Sequence, residues 1–176
     1  MPILIAAVVA VGALCLLDLL LTFGVIRRLR EHSNVLAGAV DPGMIGVPPG
    51  EAPGAFSAVT TSGEEVTGTA GLRVVAFLSS SCSACPERVP PFTEYLARHR
   101  IGRDSVLAVI AADDGTPPAF LSQLVNVTQA CVEPYDGEAA TAFKVTGFPA
   151  FFLLDADGAV TASGWDPSAL PEPAMA

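Results

Sequence analysis

The sequence predicts an α/β sandwich with a mixed central sheet, preceded by one transmembrane helix. Three observations support this prediction. A long apolar run opens the chain, short strands rich in β-branched and aromatic residues then alternate with helical patterns, and two apolar strands close the pattern as a hairpin. Strands that alternate with helices form parallel pairs, whereas a closing hairpin is antiparallel, so the predicted sheet contains both kinds of pairing.

The opening run, residues 2–26, is apolar except for Asp18 and Thr22. About 20 such residues cross a bilayer as a helix. A cleaved secretory signal is the alternative, but the run has no basic N-terminal region and is longer than the usual apolar core of ~7–15 residues. It also helps to explain why the 176-residue chain is 51% hydrophobic with a mean hydropathy of +0.53. We therefore expect a retained single-pass anchor in the cell membrane.

The segment after the anchor is predicted to be a tether. Residues 27–55 combine a juxtamembrane stretch with a region dense in Pro and Gly, a composition that favours a linker over a folded element. The globular domain is predicted over residues 56–170. From Glu31 onward the chain has 6 Lys and Arg against 17 Asp and Glu, and this acidic balance excludes nucleic acid and anionic lipid as partners of the domain.

The predicted domain begins with a β-hairpin, since two short strand patterns flank a glycine turn at 61–63. Residues 73–78, RVVAFL, are typical of a buried central strand. Residues 82–98 follow as a helix with an apolar face, which Pro90 and Pro91 are expected to bend. The later predicted elements are a strand over 106–112, a helix over 117–126, a strand over 128–132, a helix over 137–143 and a hairpin over 150–163.

Cys82 and Cys85 form a C-x-x-C motif at the junction of the predicted central strand and helix. The N-terminus of a helix presents unpaired N–H groups and the positive end of the helix dipole, which favour the thiolate of Cys82. Cys85 lies one turn later and can attack a mixed disulfide between Cys82 and a substrate. The motif therefore predicts thiol-disulfide exchange with a protein disulfide or dithiol, with Cys82 as nucleophile, Cys85 as resolving thiol and no bound cofactor.

Other uses of these cysteines have less support. A zinc site needs four ligands, and outside the anchor only Cys131, His32 and His99 accompany the pair, so no metal site is predicted. A structural disulfide across so short a loop would constrain the unfolded chain very little. Copper(I) bound by two thiolates stays an alternative. Cys131 is either a third redox thiol or a small buried apolar residue, and the second interpretation is favoured.

A second motif, Gly147-Phe148-Pro149, precedes the closing hairpin. A proline can open a buried strand because the first residue can do without its N–H. The apolar run into Cys82-Ser83-Ala84-Cys85, Pro90 five residues past the second cysteine, and this later proline together resemble the thioredoxin superfamily. The anchor, the Pro/Gly tether ending in GEAPGAFSAVTTSGEEV and the extra hairpin are more similar to its membrane-tethered TlpA-like and MauD-like branch.

The resemblance covers residues 51–165 and implies a thioredoxin-like sandwich with Cys82 and Cys85 as the redox couple. It further implies a cis Phe148–Pro149 bond, where Phe148 and Pro149 bind an extended segment of the substrate. The resemblance also implies reductase activity, for which an upstream redox donor supplies the electrons. The near alternative is a MauD-like maturation factor for a disulfide-bearing enzyme. A Cu(I)-binding or partner-docking module without turnover is the alternative from another functional class.

Two features give opposite predictions for the side of the membrane on which the domain lies. Arg27, Arg28 and Arg30 flank the C-terminal end of the anchor, and by the positive-inside rule they favour a cytoplasmic domain. The branch that the chain resembles usually works outside the membrane, where oxidised substrates are common. On the strength of the resemblance we expect the exported side.

The chain departs from the family pattern at several positions near the motif. Ala76 stands where thioredoxins have a buried aspartate that accepts a proton from the resolving thiol, so Glu87 or water would have to replace it. Ser81 stands where the family has an aromatic residue. Arg88 stands where TlpA-like proteins have a glutamate.

The C-terminal helix of the family is expected to be shortened in this chain. After Gly164 only WDPSALPEPAMA remains. One face of the sheet is therefore left partly open, and we expect Trp165 and Leu170 to cover some of it.

Overall fold

The computed structural model describes residues 45–113 and 115–173, together with Gly12. The predicted anchor at 2–26 lies outside the described residues apart from Gly12, as does the first part of the predicted tether. Among the residues that are described, no helix combines the length and the apolar character needed to cross a membrane. The anchor therefore stays a prediction.

A mixed five-stranded sheet lies at the centre of the folded domain. Its strands are β3 (Val74–Ser79), β4 (Val106–Ala111), β5 (Gln129–Glu133), β6 (Ala150–Leu154) and β7 (Val160–Gly164). They lie in the order β5-β4-β3-β6-β7. β4 is parallel to β3 and β5, whereas β6 is antiparallel to β3 and β7. The predicted mixed sheet is confirmed, and the RVVAFL segment is its central strand.

The N-terminal hairpin is also confirmed. It consists of β1 (Ser57–Val59) and β2 (Glu65–Thr67), which pair antiparallel. The turn closes at Gly63, whose N–H donates to the Thr60 carbonyl at 2.9 Å. Gly63 has φ +86°, a conformation that glycine adopts without steric cost. Thr60 also bridges to Cys131 in β5, which joins the hairpin to the central sheet.

Three α-helices and two 3₁₀ turns complete the described fold. They are α1 (Cys85–Arg98), α2 (Leu121–Leu124), α3 (Glu138–Ala142) and the 3₁₀ turns Arg103–Ser105 and Pro167–Ala169. α1 ends where the sequence predicts but begins at Cys85, not at Cys82. The Cys82 N–H donates to the Ser79 carbonyl at 3.3 Å and the Cys85 N–H to the Cys82 carbonyl at 3.2 Å. These bonds form a turn, so Cys82 precedes the helix.

The predicted helix over 117–126 is reduced to the single turn of α2. Pro117 and Pro118 carry no N–H, and each disfavours helical geometry in the residue before it. The first helical hydrogen bonds of this region therefore come later, with the Leu121 N–H donating to the Pro118 carbonyl at 3.0 Å.

The folded domain includes residues that the sequence assigned to the tether. Ile45 and Val47 are 0% and 1% exposed, and the Val47 N–H donates to the Phe143 carbonyl at 2.9 Å. Gly46 packs closely against Phe143, since an added Cβ would lie 2.3 Å from the Phe143 carbonyl oxygen. The segment packs as irregular extended chain without a hydrophobic period, so the boundary predicted at residue 56 is too late.

Alternate residues of β3 enter two separate cores, one on each face of the sheet. The core that contains α1, here called the α1 face, includes Ala76, Leu78, Cys85, Phe92 and Phe151. The core that contains α3, here called the α3 face, includes Val75, Phe77, Cys131, Phe143 and Phe152. Both are held by aromatic contacts, such as Phe92 with Phe151 at 5.1 Å on the α1 face and Phe77 with Phe143 at 5.2 Å on the α3 face.

The C-terminal segment covers part of the α1 face without forming a long helix. Beyond β7 the described chain makes one 3₁₀ turn, and Leu170 then packs into the α1 face with 9% exposure. The Tyr95 hydroxyl of α1 donates to the Pro171 carbonyl at 2.6 Å. Trp165 behaves differently from the prediction, since it is 43% exposed and lies over Gly147, where an added Cβ would be 3.1 Å from the indole.

Candidate active site

The two cysteines of the C-x-x-C motif lie just after the C-terminal end of β3. Cys82 occupies the turn before α1 and is half-buried. Cys85 is the first residue of α1 and is 0% exposed. The structure therefore gives the pair one accessible sulfur and one enclosed sulfur. This is the arrangement that a nucleophile and a resolving thiol require.

The sulfur of Cys85 is held from two sides. The Ser79 N–H donates to Cys85 Sγ at 3.4 Å, and the side chains of Cys82 and Cys85 are hydrogen-bonded to each other. Burial, together with this bond to Cys82, raises the pKa of Cys85 to about 12, although the Ser79 N–H acts in the opposite direction. Cys85 is consequently a protonated thiol at neutral pH and must lose its proton before it attacks.

Phe148 and Pro149 lie beside the cysteines. The Phe148–Pro149 peptide bond is cis, as the resemblance implies. Cys82 Sγ donates to the Phe148 carbonyl oxygen at 3.6 Å, a distance within the range for a sulfur donor. The structure thus brings the Phe148–Pro149 loop to Cys82 and Cys85, although Phe148 is 66 residues from Cys82 in the chain. Binding of substrate by Phe148 and Pro149 stays a prediction.

A hydroxyl cluster that the sequence did not reveal lies next to this loop. The Tyr135 hydroxyl shares a hydrogen bond of 2.5 Å with Ser79 Oγ and a second, shorter one with Ser81 Oγ. The ring of Tyr135 also meets Phe148 edge-on, with centroids 5.6 Å apart. The hydrogen bonds with Ser79 and then Ser81 lower the pKa of the Tyr135 phenol. Tyr135 follows β5 in an irregular segment, and no pattern in that segment points to the site.

The position of the missing family aspartate is closed and apolar. Ala76 is 0% exposed on the same face as Cys85. Glu87, which the sequence suggested as a substitute, is exposed. Two residues along an α-helix correspond to a rotation of about 200°, so Glu87 faces away from Cys85. Of the two substitutes considered, Glu87 is therefore not placed to accept the proton from Cys85, and acceptance by water stays a prediction.

Arg88, at the position where TlpA-like proteins have a glutamate, forms an ion pair. Its guanidinium pairs with the Asp166 carboxylate at 3.2 Å, and both side chains are more than a third exposed. Asp166 Oδ1 also accepts from the Ser168 N–H at 2.9 Å. The pair connects α1 to the segment that follows β7 and carries Trp165.

Cys131 lies away from the pair. It is 1% exposed in β5 and belongs to the α3 face, whereas Cys85 belongs to the α1 face. Burial, and to a smaller extent the nearby Glu133, raises the pKa of Cys131 to about 12. The sheet separates the two cores, so the structure favours the interpretation of Cys131 as a small apolar core residue.

In the described part of the chain, no three residues of the types His, Cys, Asp and Glu come together as metal ligands. Cys131 lies on the far face of the sheet, and His99 follows the opposite end of α1. Neither can therefore complete a zinc site with Cys82 and Cys85. Two-coordinate binding of copper(I) needs only the two thiolates and stays an alternative.

The sequence matches no protein-family model, and no curated protein matches it. Solved structures do match. A thio-disulfide isomerase from Thermus thermophilus has a TM-score of 0.54 and 22% identity over 68% of this chain and 87% of its own. A secreted Mycobacterium tuberculosis disulfide oxidoreductase has a TM-score of 0.51 and 25% identity over 69% and 87%. A thiol-disulfide oxidoreductase from Bacteroides fragilis has a TM-score of 0.53 and 14% identity over 64% and 89%.

These neighbours agree with each other in fold and in the class of enzyme that they represent. Their identity to this chain is low, so the architecture is what the comparison establishes. The described domain has the thioredoxin-like α/β fold of thiol-disulfide oxidoreductases, with a C-x-x-C pair and a cis-proline at one end of its mixed sheet.

Proposed function

We propose that the chain is a membrane-tethered thiol-disulfide oxidoreductase that reduces disulfides of protein substrates through Cys82 and Cys85. The observation that carries the proposal is the asymmetry of the pair. Cys82 is accessible and borders the cis-proline loop, whereas Cys85 is enclosed, protonated and hydrogen-bonded to Cys82. A substrate disulfide can therefore reach only the first sulfur, and the second sulfur is already in place to release it.

The reaction balances without a bound cofactor. The Cys82 thiolate attacks one sulfur of the substrate disulfide, the S–S bond breaks, and the released substrate thiolate takes up a proton. Cys85 then loses its proton and attacks the Cys82 sulfur of the mixed disulfide, so the second substrate thiolate leaves and is protonated. Two electrons have passed to the substrate, and the protein holds a Cys82–Cys85 disulfide. An external dithiol, the upstream redox donor, returns it to the dithiol form.

The reducing direction, the tether and the exported side rest on the resemblance and on the composition of residues 2–26. Reducing a protein disulfide outside the membrane would require a donor on that side. The acidic domain favours substrates and donors that are neutral or basic at their contact surface. A MauD-like role, in which one disulfide-bearing enzyme is the dedicated substrate, uses the same two sulfurs.

Trapping the mixed disulfide tests the proposal. The full chain in detergent is mixed with insulin, and dithiothreitol supplies electrons to the wild type. We expect the wild type to reduce insulin catalytically and Cys85→Ser to accumulate an insulin adduct through Cys82. Cys131→Ala serves as the control and should turn over normally. If Cys85→Ser forms no adduct while the wild type retains one copper per chain, the oxidoreductase proposal is contradicted in favour of a copper-binding module.

The membrane side is tested separately. A cysteine is introduced at Ala156, which is exposed in the turn between β6 and β7, in a Cys82→Ser background. A membrane-impermeant thiol reagent applied to whole cells should label it if the domain is exported. Labelling only after the cells are opened would place the domain in the cytoplasm.

A further inference from the structure

One residue outside both motifs contacts the two segments that border Cys82. Tyr135 lies in the segment between β5 and α3, 54 residues from Ser81 and 56 from Ser79. Its hydroxyl bonds both serines, and its ring meets Phe148 with an interplanar angle of 80°. The backbone of Tyr135 is held independently, since its N–H donates to Asp113 Oδ1 at 3.3 Å.

From these contacts we infer that Tyr135 is a positioning residue that keeps the Cys82 sulfur within reach of Cys85 while a substrate is covalently attached. The inference rests on the proposed function and deepens it. It concerns the second step of the exchange, in which the mixed disulfide is resolved.

The first step of the exchange removes a restraint on the turn that carries Cys82. In the free dithiol, the turn that carries Cys82 is restrained at the sulfur itself, because Cys82 Sγ donates to the Phe148 carbonyl oxygen. Formation of the mixed disulfide replaces the S–H by an S–S bond to the substrate. The hydrogen bond from Cys82 to Phe148 is then lost, since its donor is gone.

Besides the backbone bonds of the turn, a side-chain restraint survives one residue before Cys82. Ser81 remains bonded to Tyr135, and the Ser81 N–H remains bonded to Ser79 Oγ at 3.1 Å. Ser79 is the last residue of β3, so its position is set by the sheet. The cluster of Tyr135, Ser79 and Ser81 therefore connects the Ser81 end of the turn to the last residue of β3 and to the cis-proline loop at the stage when the Cys82 sulfur no longer donates to Phe148.

The two steps of exchange differ in how much they depend on such a restraint. Attack of Cys82 on a substrate is bimolecular and needs only an accessible sulfur. Attack of Cys85 on Cys82 is intramolecular, and its rate depends on how often the two sulfurs are aligned at contact distance. Cys85 is fixed in the core at the start of α1. Loosening the Ser81 end of the turn should consequently slow resolution and leave the first attack nearly unchanged.

Rapid acid quenching of the full chain in detergent separates the two rate constants, with a fluorescent peptide disulfide as substrate. For Tyr135→Phe, which keeps the ring on Phe148 and removes the hydroxyl, we expect resolution to slow about 3- to 10-fold and the first attack to change less than about twofold. Ser81→Ala should reproduce this effect. Both substitutions break the bond between Tyr135 and Ser81, and each also breaks one bond to Ser79, so the effect of the double variant should fall short of the product of the two single effects.

Tyr95→Phe is a matched control. It also removes a hydroxyl that bonds a partner distant in sequence, the Pro171 carbonyl at 2.6 Å, but Tyr95 lies near the C-terminal end of α1, away from the motif turn at the N-terminal end. In Tyr95→Phe the rate constants of the first attack and of resolution should both stay at the wild-type values. Ser122→Ala, which loses an exposed bond to the Ala119 carbonyl, is the equivalent control for Ser81→Ala.

The inference is overturned if Tyr135→Phe resolves the mixed disulfide at the wild-type rate, if both steps slow equally, or if the double variant shows the product of the single effects. These results are distinguishable from failure of the proposed function. In that case the wild type and Cys85→Ser form no mixed disulfide at all, and no resolution step exists to measure. Because Ser81→Ala removes the same bond from the other side, a folding defect in one variant does not remove the test.

Discussion

Cys85 and Cys131 are the same residue type in nearly the same degree of burial, yet the structure gives them different chemistry. They are 0% and 1% exposed, and burial is the main reason why the pKa of each is raised to about 12. Cys85 is hydrogen-bonded to a second, accessible sulfur and is the first residue of α1. Cys131 lies within β5, among the apolar side chains of the α3 face.

The difference shows that neither burial nor a raised pKa identifies a redox thiol in this fold. What distinguishes Cys85 is a neighbour, Cys82, that a substrate can reach. Cys131 has no such neighbour among the described residues, and its sulfur fills space between the hairpin and the sheet. Four measurements can break this comparison or make it more precise.

The largest expected effect is on activity. Cys82→Ser should lower the rate of insulin reduction by at least about 1,000-fold, because a hydroxyl does not attack a disulfide. Cys131→Ala should retain activity within about twofold. A turbidity assay of insulin reduction checks both variants. If Cys131→Ala were as inactive as Cys82→Ser while remaining folded, the assignment of Cys131 to the core alone would be wrong.

The next effect concerns the pH dependence of resolution. Burial raises the pKa of Cys85 above its ordinary value and still acts in the mixed disulfide, so the thiolate that attacks is scarce at neutral pH. Its fraction grows about tenfold for each pH unit below that pKa. Quenched-flow measurement between about pH 6 and 9 should therefore show a resolution rate that climbs without a plateau. A plateau near neutral pH would mean that a nearby base deprotonates Cys85 in the mixed disulfide.

A smaller effect is expected on stability in alkali. The pKa values of Cys85 and Cys131 rise from 9.0 to about 12 on folding, and burial raises that of Tyr95 from 10.0 to about 12. A raised pKa contributes stability that is complete below the value of the unfolded chain and is lost as the pH increases towards the folded value. The free energy of unfolding of the reduced protein should thus fall between about pH 9 and 12.

Formation of the Cys82–Cys85 disulfide separates the contributions of Cys85 and Cys131 to this loss of stability. The Cys82–Cys85 disulfide removes the titration of Cys85 and leaves that of Cys131, whereas Cys131→Ala does the reverse. Urea unfolding at several pH values should show a shallower loss of stability in each case. An unchanged slope in Cys131→Ala would show that Cys131 is already accessible to hydroxide in the native state.

The smallest effect is the packing contribution of Cys131 at neutral pH. Replacing its sulfur by hydrogen in Cys131→Ala leaves a small cavity on the α3 face, and we expect a loss of about 1 kcal/mol in the free energy of unfolding. Chemical denaturation measures it. A stabilised variant would indicate that the sulfur is strained where it lies.

The strong hydrophobic patterns were sufficient to predict the centre of the fold. β3 and β4 are continuous apolar runs buried on both faces, and turn glycines mark the two hairpins, so their positions follow from the sequence. Residues 45–47 were not predicted to belong to the domain, because they pack as extended chain without a hydrophobic period. The helix over 117–126 was overestimated because its two prolines were given too little weight.

The candidate site was predictable only as far as its motifs extend. Cys82, Cys85 and Pro149 belong to recognisable local patterns, and the structure brings them together. Tyr135 belongs to none, because its role depends on a tertiary contact with Ser79 and Ser81 that no local spacing encodes. Glu87, one of the two suggested proton acceptors, is close to the motif in sequence but faces away from Cys85 on α1.

Trp165 provides an unlabelled optical signal for this end of the molecule. It is the only tryptophan in the chain, and its indole lies over Gly147. The next residue is Phe148, whose carbonyl accepts a hydrogen bond from the Cys82 thiol. Emission excited near 295 nm, a wavelength chosen to avoid tyrosine, would come from this one position. Docking of a polypeptide or closure of the disulfide can therefore be followed in real time on the native chain.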